Sequence, residues 1–132
     1  MNATDIKVID ASALAAIIFA EPEGAEIATR LEAAMLVAPA LLSFEITNVC
    51  LTKLRQNPAR RADILRAFDL RSAFPIEWYE IDHESSLLLA GQCRLTAYDA
   101  SYLWLARRLN AELVTLDRGL ARAFAASDRP AG

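Results

Sequence analysis

Four short apolar segments, each divided from the next by helix-like sequence, constrain this chain more than any other feature. Ile6–Ile9, Met35–Ala38, Ile76–Ile81 and Leu113–Leu116 read as strands, short and rich in β-branched or aromatic residues. Between and after them, helical stretches run over Ala11–Ala20, Ala25–Ala34, Leu41–Gln56, Ala59–Ser72, Glu84–Arg94, Tyr98–Asn110 and Leu120–Ala126. The Glu21-Pro22-Glu23-Gly24 run stops the first helix, Pro39 closes the second strand, and Pro58 ends the third helix. Strands alternating with helices predict an α/β fold, a parallel sheet covered by helices on both faces. In such sheets ligands bind beyond the carboxyl ends of the strands, so the residues just after each strand carry the functional question.

Composition narrows the class. The 132 residues are 55% hydrophobic and 23% charged, which suits one compact domain spanning 1–132 with a core that needs neither disulfide nor metal. Alanine and leucine, at 26 and 19 copies, favour helix. The longest uncharged run, Ala33–Phe44, is interrupted by Pro39 and is too short to span a membrane. Ala11–Ala20 lacks the basic flank of a leader, because Asp5 and Asp10 precede it with only Lys7 between. The chain therefore reads as cytoplasmic, Cys50 and Cys93 read as buried thiols, and the tail Ser127–Gly132 reads as mobile.

Two strands run directly into aspartate, at Val8-Ile9-Asp10 and at Val114-Thr115-Leu116-Asp117. Asp99 opens the helix at Thr96-Ala97-Tyr98-Asp99, and Glu45 lies in the first turns after the second strand. A parallel sheet brings all four to one end. Each has a structural reading: Asp10 and Asp117 as helix caps, Thr96 with Asp99 as a capping box, Glu45 as a solvated side chain. Four clustered carboxylates repel one another, and a bound cation relieves that repulsion. All-oxygen ligation suits Mg²⁺ or Mn²⁺. Such ions lower the pKa of a coordinated water and stabilise in-line displacement at phosphorus. Around them, Ser12 and Thr115 are either hydroxyls that orient a carboxylate or an ordinary helix-start serine and strand threonine. Strand alternation puts Thr115 on the side of Asp117. Asn48, one turn after Glu45, is either a polar site residue or an exposed helix residue. Arg118 adjoins Asp117, where it could neutralise the acids or touch phosphate.

The single histidine removes competitors. His83 sits in an acidic surface stretch, so paired-histidine ribonuclease chemistry and multi-histidine zinc sites are excluded. No Gly-x-Ser-x-Gly, Gly-x-Gly-x-x-Gly or Walker-type segment is present. Two alternatives to acid-only metal chemistry stay open. One is an aspartate-nucleophile phosphatase or phosphotransferase, although Asp10-Ala11-Ser12 lacks the second aspartate of haloacid-dehalogenase-like motifs. The other is a non-catalytic module that binds RNA or a partner.

At these residues the chain resembles the PIN-domain ribonucleases, and within them the VapC-type toxins of toxin–antitoxin pairs. The likeness rests on Val8-Ile9-Asp10-Ala11-Ser12-Ala13-Leu14, on Ala38-Pro39 through Glu45-Ile46-Thr47-Asn48-Val49, on Leu95 through Tyr102, and on Leu113 through Leu120. It implies a three-layer α/β/α fold with four or five parallel strands, although Ala121–Gly132 looks helical and then loose where a fifth strand belongs. It also implies a Mg²⁺- or Mn²⁺-dependent endoribonuclease. Asp10, Asp99 and Asp117 would hold metal, Glu45 would do so directly or through water, and Ser12, Asn48 and Thr115 would support them. A homodimer and a VapB-type antitoxin that blocks the acidic pocket complete the implication.

An acidic protein must still hold RNA. Net charge is −3, yet Lys53–Arg71 carries six basic side chains against two acidic ones. That stretch reads as a guide for the RNA backbone, a solvated face or an antitoxin contact. Twelve of the fourteen basic residues are arginine, which suits bidentate phosphate contact, though a compositional bias explains much of that ratio.

Overall fold

The computed structural model describes residues 5–127. Its sheet has four parallel strands among the described residues: β1 (Ile6–Ile9), β2 (Met35–Pro39), β3 (Ile76–Tyr79) and β4 (Glu112–Val114), in the order β3-β2-β1-β4. The helices are α1 (Ala11–Ile18), α2 (Gly24–Leu31), α3 (Leu41–Gln56), α4 (Arg61–Leu70), α5 (His83–Cys93), α6 (Ala97–Leu109) and α7 (Arg118–Ser127).

The strand order explains the layers. The chain steps from β1 to β2 to β3 in one direction, then returns across the sheet to β4 on the other side of β1. Right-handed crossovers put the helices of the two directions on opposite faces. Thus α1, α2, α3 and α4 pack on one another, while α6 lies across β1, β2 and β4 with α5 and α7 beside it. The centres of the covered strands are apolar: Val8, Ile9, Val37, Ala38 and Val114 are fully buried. The direction reverses between β1 and β4, and this is the switch point where α/β sheets bind ligands.

Lys7 pairs with Glu112 across these two strands. Its ammonium, nearly buried, donates to the Arg30 carbonyl at 2.8 Å and lies 3.3 Å from Glu112 and 3.5 Å from Asp5. Arg30 donates to the same glutamate. Burial alone would push the Glu112 carboxyl up, but the hydrogen bonds and charges of Arg30 and Lys7 outweigh it and hold it below the usual range.

Several boundaries differ from the sequence reading, each for a local reason. The first helix ends at Ile18, not Ala20, because Ala20 turns into the left-handed region (φ 50°) and Glu21 N–H donates to the Ala16 carbonyl. That turn seats Gly24 against α1, where a Cβ would stand 2.2 Å from the Ala16 oxygen, so α2 starts on a glycine. It ends at Leu31, and Ala33 (φ 62°) makes the corner into β2. The predicted helix Ala59–Ser72 is α4 between two 3-10 turns, Pro58–Arg60 and Arg71–Ala73. β3 is an edge strand whose last partner is Pro39, so Glu80 and Ile81 have no strand to pair with. Caps start the last three helices earlier than periodicity suggests. Asp82 accepts from Ser85 N–H, Thr96 from Asp99 N–H, and Asp117 from Leu120 N–H. Cys50 is buried on α3 and Cys93 is partly buried at the end of α5, both as free thiols. The expected tail falls mostly on 128–132, outside the described residues. Where a fifth strand would belong, the described chain forms α7.

Candidate active site

The register of β1 and β4 builds the centre of the site. Ile9 pairs with Val114, and Asp10 N–H donates onward to the Val114 carbonyl at 3.3 Å. One residue further, the Thr115 hydroxyl donates to Asp10 Oδ2. Asp10 Oδ1 accepts from Ser12 Oγ at 2.7 Å and from Ala13 N–H at 3.0 Å, which also caps α1. The cap and site readings of Asp10 are thus the same geometry. Ser12 Oγ accepts from Leu116 N–H at 2.8 Å, tying α1 to the segment after β4.

Strand alternation does not place Thr115 as expected. β4 stops at Val114, and Thr115 Oγ1 instead accepts from Asp117 N–H at 3.0 Å. A hydroxyl that bonds a backbone two residues on competes with the strand ladder and starts a turn. The result still joins the two aspartates, through one hydroxyl. Asp117 Oδ1 accepts from Leu120 N–H at 2.8 Å and caps α7.

Asp99 enters from the first turn of α6 and Glu45 from the second turn of α3. Tyr102, one turn beyond Asp99 and 1% exposed, donates its hydroxyl to Glu45 Oε1 at 2.5 Å. Sequence reasoning assigned Tyr102 no role. Its spacing of three from Asp99 on α6 was the available signal.

The carboxylates share one field. Burial raises the Asp10 carboxyl above its ordinary range, hydrogen bonds from Thr115, Ala13 and Ser12 offset part of this, and Asp117 adds to the rise. Burial also raises Asp99, with Asp117 and Asp10 pushing the same way. Glu45 is raised by burial and by Asp10 and Asp99, against the Tyr102 hydrogen bond. Burial and the nearby negative charges push the Tyr102 phenol far upward, so it stays a donor. Each of the four acids is coupled to at least two others.

An oxygen-only, mutually repelling donor set fits a hard divalent cation. Among the described residues no group of three carboxylates already stands at ligand spacing. A Mg²⁺ ion keeps several waters and takes one or two carboxylates directly, so the chemistry of this donor set suits such an ion, which one or two of the acids would hold and the others would reach through water.

Two other expected residues stand apart. Asn48 is exposed and lines a groove of about 440 Å³ with Ala11, Leu41, Phe44, Glu45, Val49 and Tyr98, without a hydrogen bond to any of the acids. Arg118 is exposed and forms no ion pair with a described residue. The basic stretch is divided rather than gathered. Lys53 sits over the Phe19 ring and, with Arg60, lines a groove at the far end of α1 from Asp10, about 12 Å along that helix. Arg60 and Arg66 both approach Asp63, and Arg71 lies over Phe68. No helix among the described residues is long and apolar enough to cross a membrane.

Comparison with known proteins bears on the domain as a whole. The sequence matches the PIN domain family over residues 7–125. Among solved structures, PAE2754 from Pyrobaculum aerophilum superposes with a TM-score of 0.72 at 25% identity, covering 90% of this chain and 84% of that one. No curated protein matches the sequence.

Proposed function

The chain belongs to the PIN-domain family, whose members are typically nucleases dependent on divalent cations such as Mg²⁺, and we propose that it is an endoribonuclease toxin. In this reading it is a single cytoplasmic domain, acts as a homodimer, and is neutralised by a VapB-type antitoxin. The observation that supports the nuclease reading is the gathering of Asp10, Glu45, Asp99 and Asp117 at the β1–β4 switch point, with Asp10 and Asp117 joined through the Thr115 hydroxyl.

Asp10, Asp99 and Asp117 would hold Mg²⁺ or Mn²⁺, and Glu45 would hold it directly or through water. When bound, the cation supplies an acidified water and neutralises charge developing at phosphorus. The chain's own groups set the stage. Ser12, Ala13 N–H and Thr115 fix both oxygens of Asp10 and favour its charged form. Tyr102 orients Glu45 and holds it as a carboxylate acceptor. Thr115 keeps Asp117 next to Asp10 by accepting from its N–H. An Asp10 whose two oxygens already accept three hydrogen bonds suits a ligand better than an attacking nucleophile, which supports the nuclease over the phosphatase reading. Asn48 and Arg118, both exposed, would contact the RNA strand.

Cleavage of single-stranded RNA by the purified chain tests this. Activity should require Mg²⁺ or Mn²⁺, stop with EDTA, and vanish in Asp99→Asn and Asp117→Asn variants that remain folded. Cleavage that survives chelation refutes the metal chemistry, and release of phosphate from monoesters without RNA cleavage favours the phosphatase. Co-purification with a co-expressed antitoxin that abolishes cleavage tests the toxin assignment.

A further inference from the structure

Phe44 and Tyr98 each stand one residue before a candidate ligand, Glu45 on α3 and Asp99 on α6. Their rings are 75% and 63% exposed. A single exposed apolar side chain carries no message. These two come from different helices and line one groove of about 440 Å³ together with Glu45 and Asn48. Spacing on α3 brings this about: Leu41, Phe44, Glu45 and Asn48 recur every three or four residues and so share a face of that helix. Asn48 is exposed, and its amide has no hydrogen-bond partner among the described residues.

The groove is continuous with the acids. Glu45 lines it and also feels the charges of Asp10 and Asp99. A strand whose cleaved phosphate lies at those acids brings a flanking nucleotide to Glu45, and the groove is the space there. Among the described residues no lysine or arginine lines it, so it offers nothing to a phosphate. It offers two rings and an amide, all within reach of solvent. Aromatic rings stack on any base. An asparagine amide presents a donor beside an acceptor, which matches the edge of a base such as adenine.

The geometry points to a base-stacking subsite: Phe44 and Tyr98 stack one base of the RNA strand beside the cleaved bond, with the edge of that base on Asn48. The inference rests on RNA being the substrate. It adds to the acids a pair of substrate contacts that hold the base rather than the backbone.

Removing the base from the probe tests this. The whole chain, in Ca²⁺ because the same oxygen ligands accept it, is titrated with fluorescein-labelled rA6 and with a hexamer of abasic ribose phosphates of equal charge. Cleavage under Mg²⁺ or Mn²⁺ is followed separately. The chain should bind rA6 about tenfold or more tightly than the abasic hexamer. Phe44→Ala and Tyr98→Ala should each weaken rA6 by about tenfold and leave the abasic hexamer within about twofold. Phe44→Trp and Tyr98→Phe should keep the preference, and Phe44→Leu, apolar without a ring, should lose it. Asn48→Ala should weaken rA6 about three- to tenfold. Equal affinity for the two probes, no detectable binding of either, equal losses on both probes in the alanine variants, or a leucine as good as phenylalanine would each overturn the subsite. So would variants that release only a protein partner and leave rA6 unchanged. A chain that cleaves RNA but binds both probes equally keeps the nuclease and loses the subsite. A chain that shows the ring-dependent preference without cleaving does the reverse.

Discussion

Removing the Tyr102 hydroxyl while keeping its ring isolates how this fold sets the charge of Glu45. Tyr102 is buried, and its hydroxyl donates to Glu45 Oε1 at 2.5 Å. Burial, Asp10 and Asp99 all push the Glu45 carboxyl up, and this hydrogen bond pulls it down. A hydrogen bond to a charged group contributes about 1.5–3 kcal/mol, and about 1.4 kcal/mol corresponds to one pK unit. Glu45 is half-exposed, so water replaces much of the lost bond and roughly halves the effect. Tyr102→Phe should therefore raise the Glu45 titration by about 0.5–1 unit. Carboxyl ¹³C NMR in EDTA reads this directly, without cation or substrate. Stability follows with a definite sign. Glu45 already titrates above its unfolded value, so its ionisation costs folding free energy as pH rises from the unfolded to the folded value, and the variant enlarges that cost. Urea unfolding should show an added loss of about 1 kcal/mol at pH 8 that is largely absent at pH 4. A Glu45 titration that does not move, or a loss equal at both pH values, refutes the reasoning.

Asp99 is likewise held above its ordinary range, by burial and by Asp117 and Asp10. Its favourable contribution is present below the unfolded pKa and lost as pH rises through the folded one. Asp99→Asn should then raise Tm in EDTA at pH 7.5 by about 2–6 °C and leave it unchanged at pH 4, read by calorimetry; an unchanged or lower Tm at pH 7.5 argues against carboxylate crowding. Thr115→Val removes a hydroxyl that donates to Asp10 and accepts from Asp117 N–H. It should cost about 2 kcal/mol in urea unfolding, with Thr115→Ser restoring most of it. Gly24→Ala forces a Cβ to within 2.2 Å of the Ala16 oxygen, and should cost about 2–4 kcal/mol in the same assay.

What could be read from sequence was whatever is encoded locally. The strand–helix alternation is a short-range pattern, so the parallel sheet followed from it, and the aspartates after β1 and β4 inherited their place from the strands they follow. Their caps were equally local. Tyr102 escaped because its partner is 57 residues away on another helix. The layout of the basic stretch was hidden for the converse reason: α4 packs back on α3, so Lys53 and Arg60 share one groove while Arg71 lies beside Leu42 and Ser43 at the start of α3. Boundaries moved wherever a hydroxyl, a cap or an edge strand's partner overrode propensity.

The charged knot of Lys7, Arg30 and Glu112 lies at the rim of the sheet furthest from the acids, yet it bears on them. β1 and β4 meet over only three residue pairs, too few for packing alone to forbid sliding. Clasping that rim fixes which rung faces which, and a slip of one rung would carry Thr115 away from Asp10. Wear at the knot would thus blunt the opposite end of the molecule while leaving every acidic side chain intact.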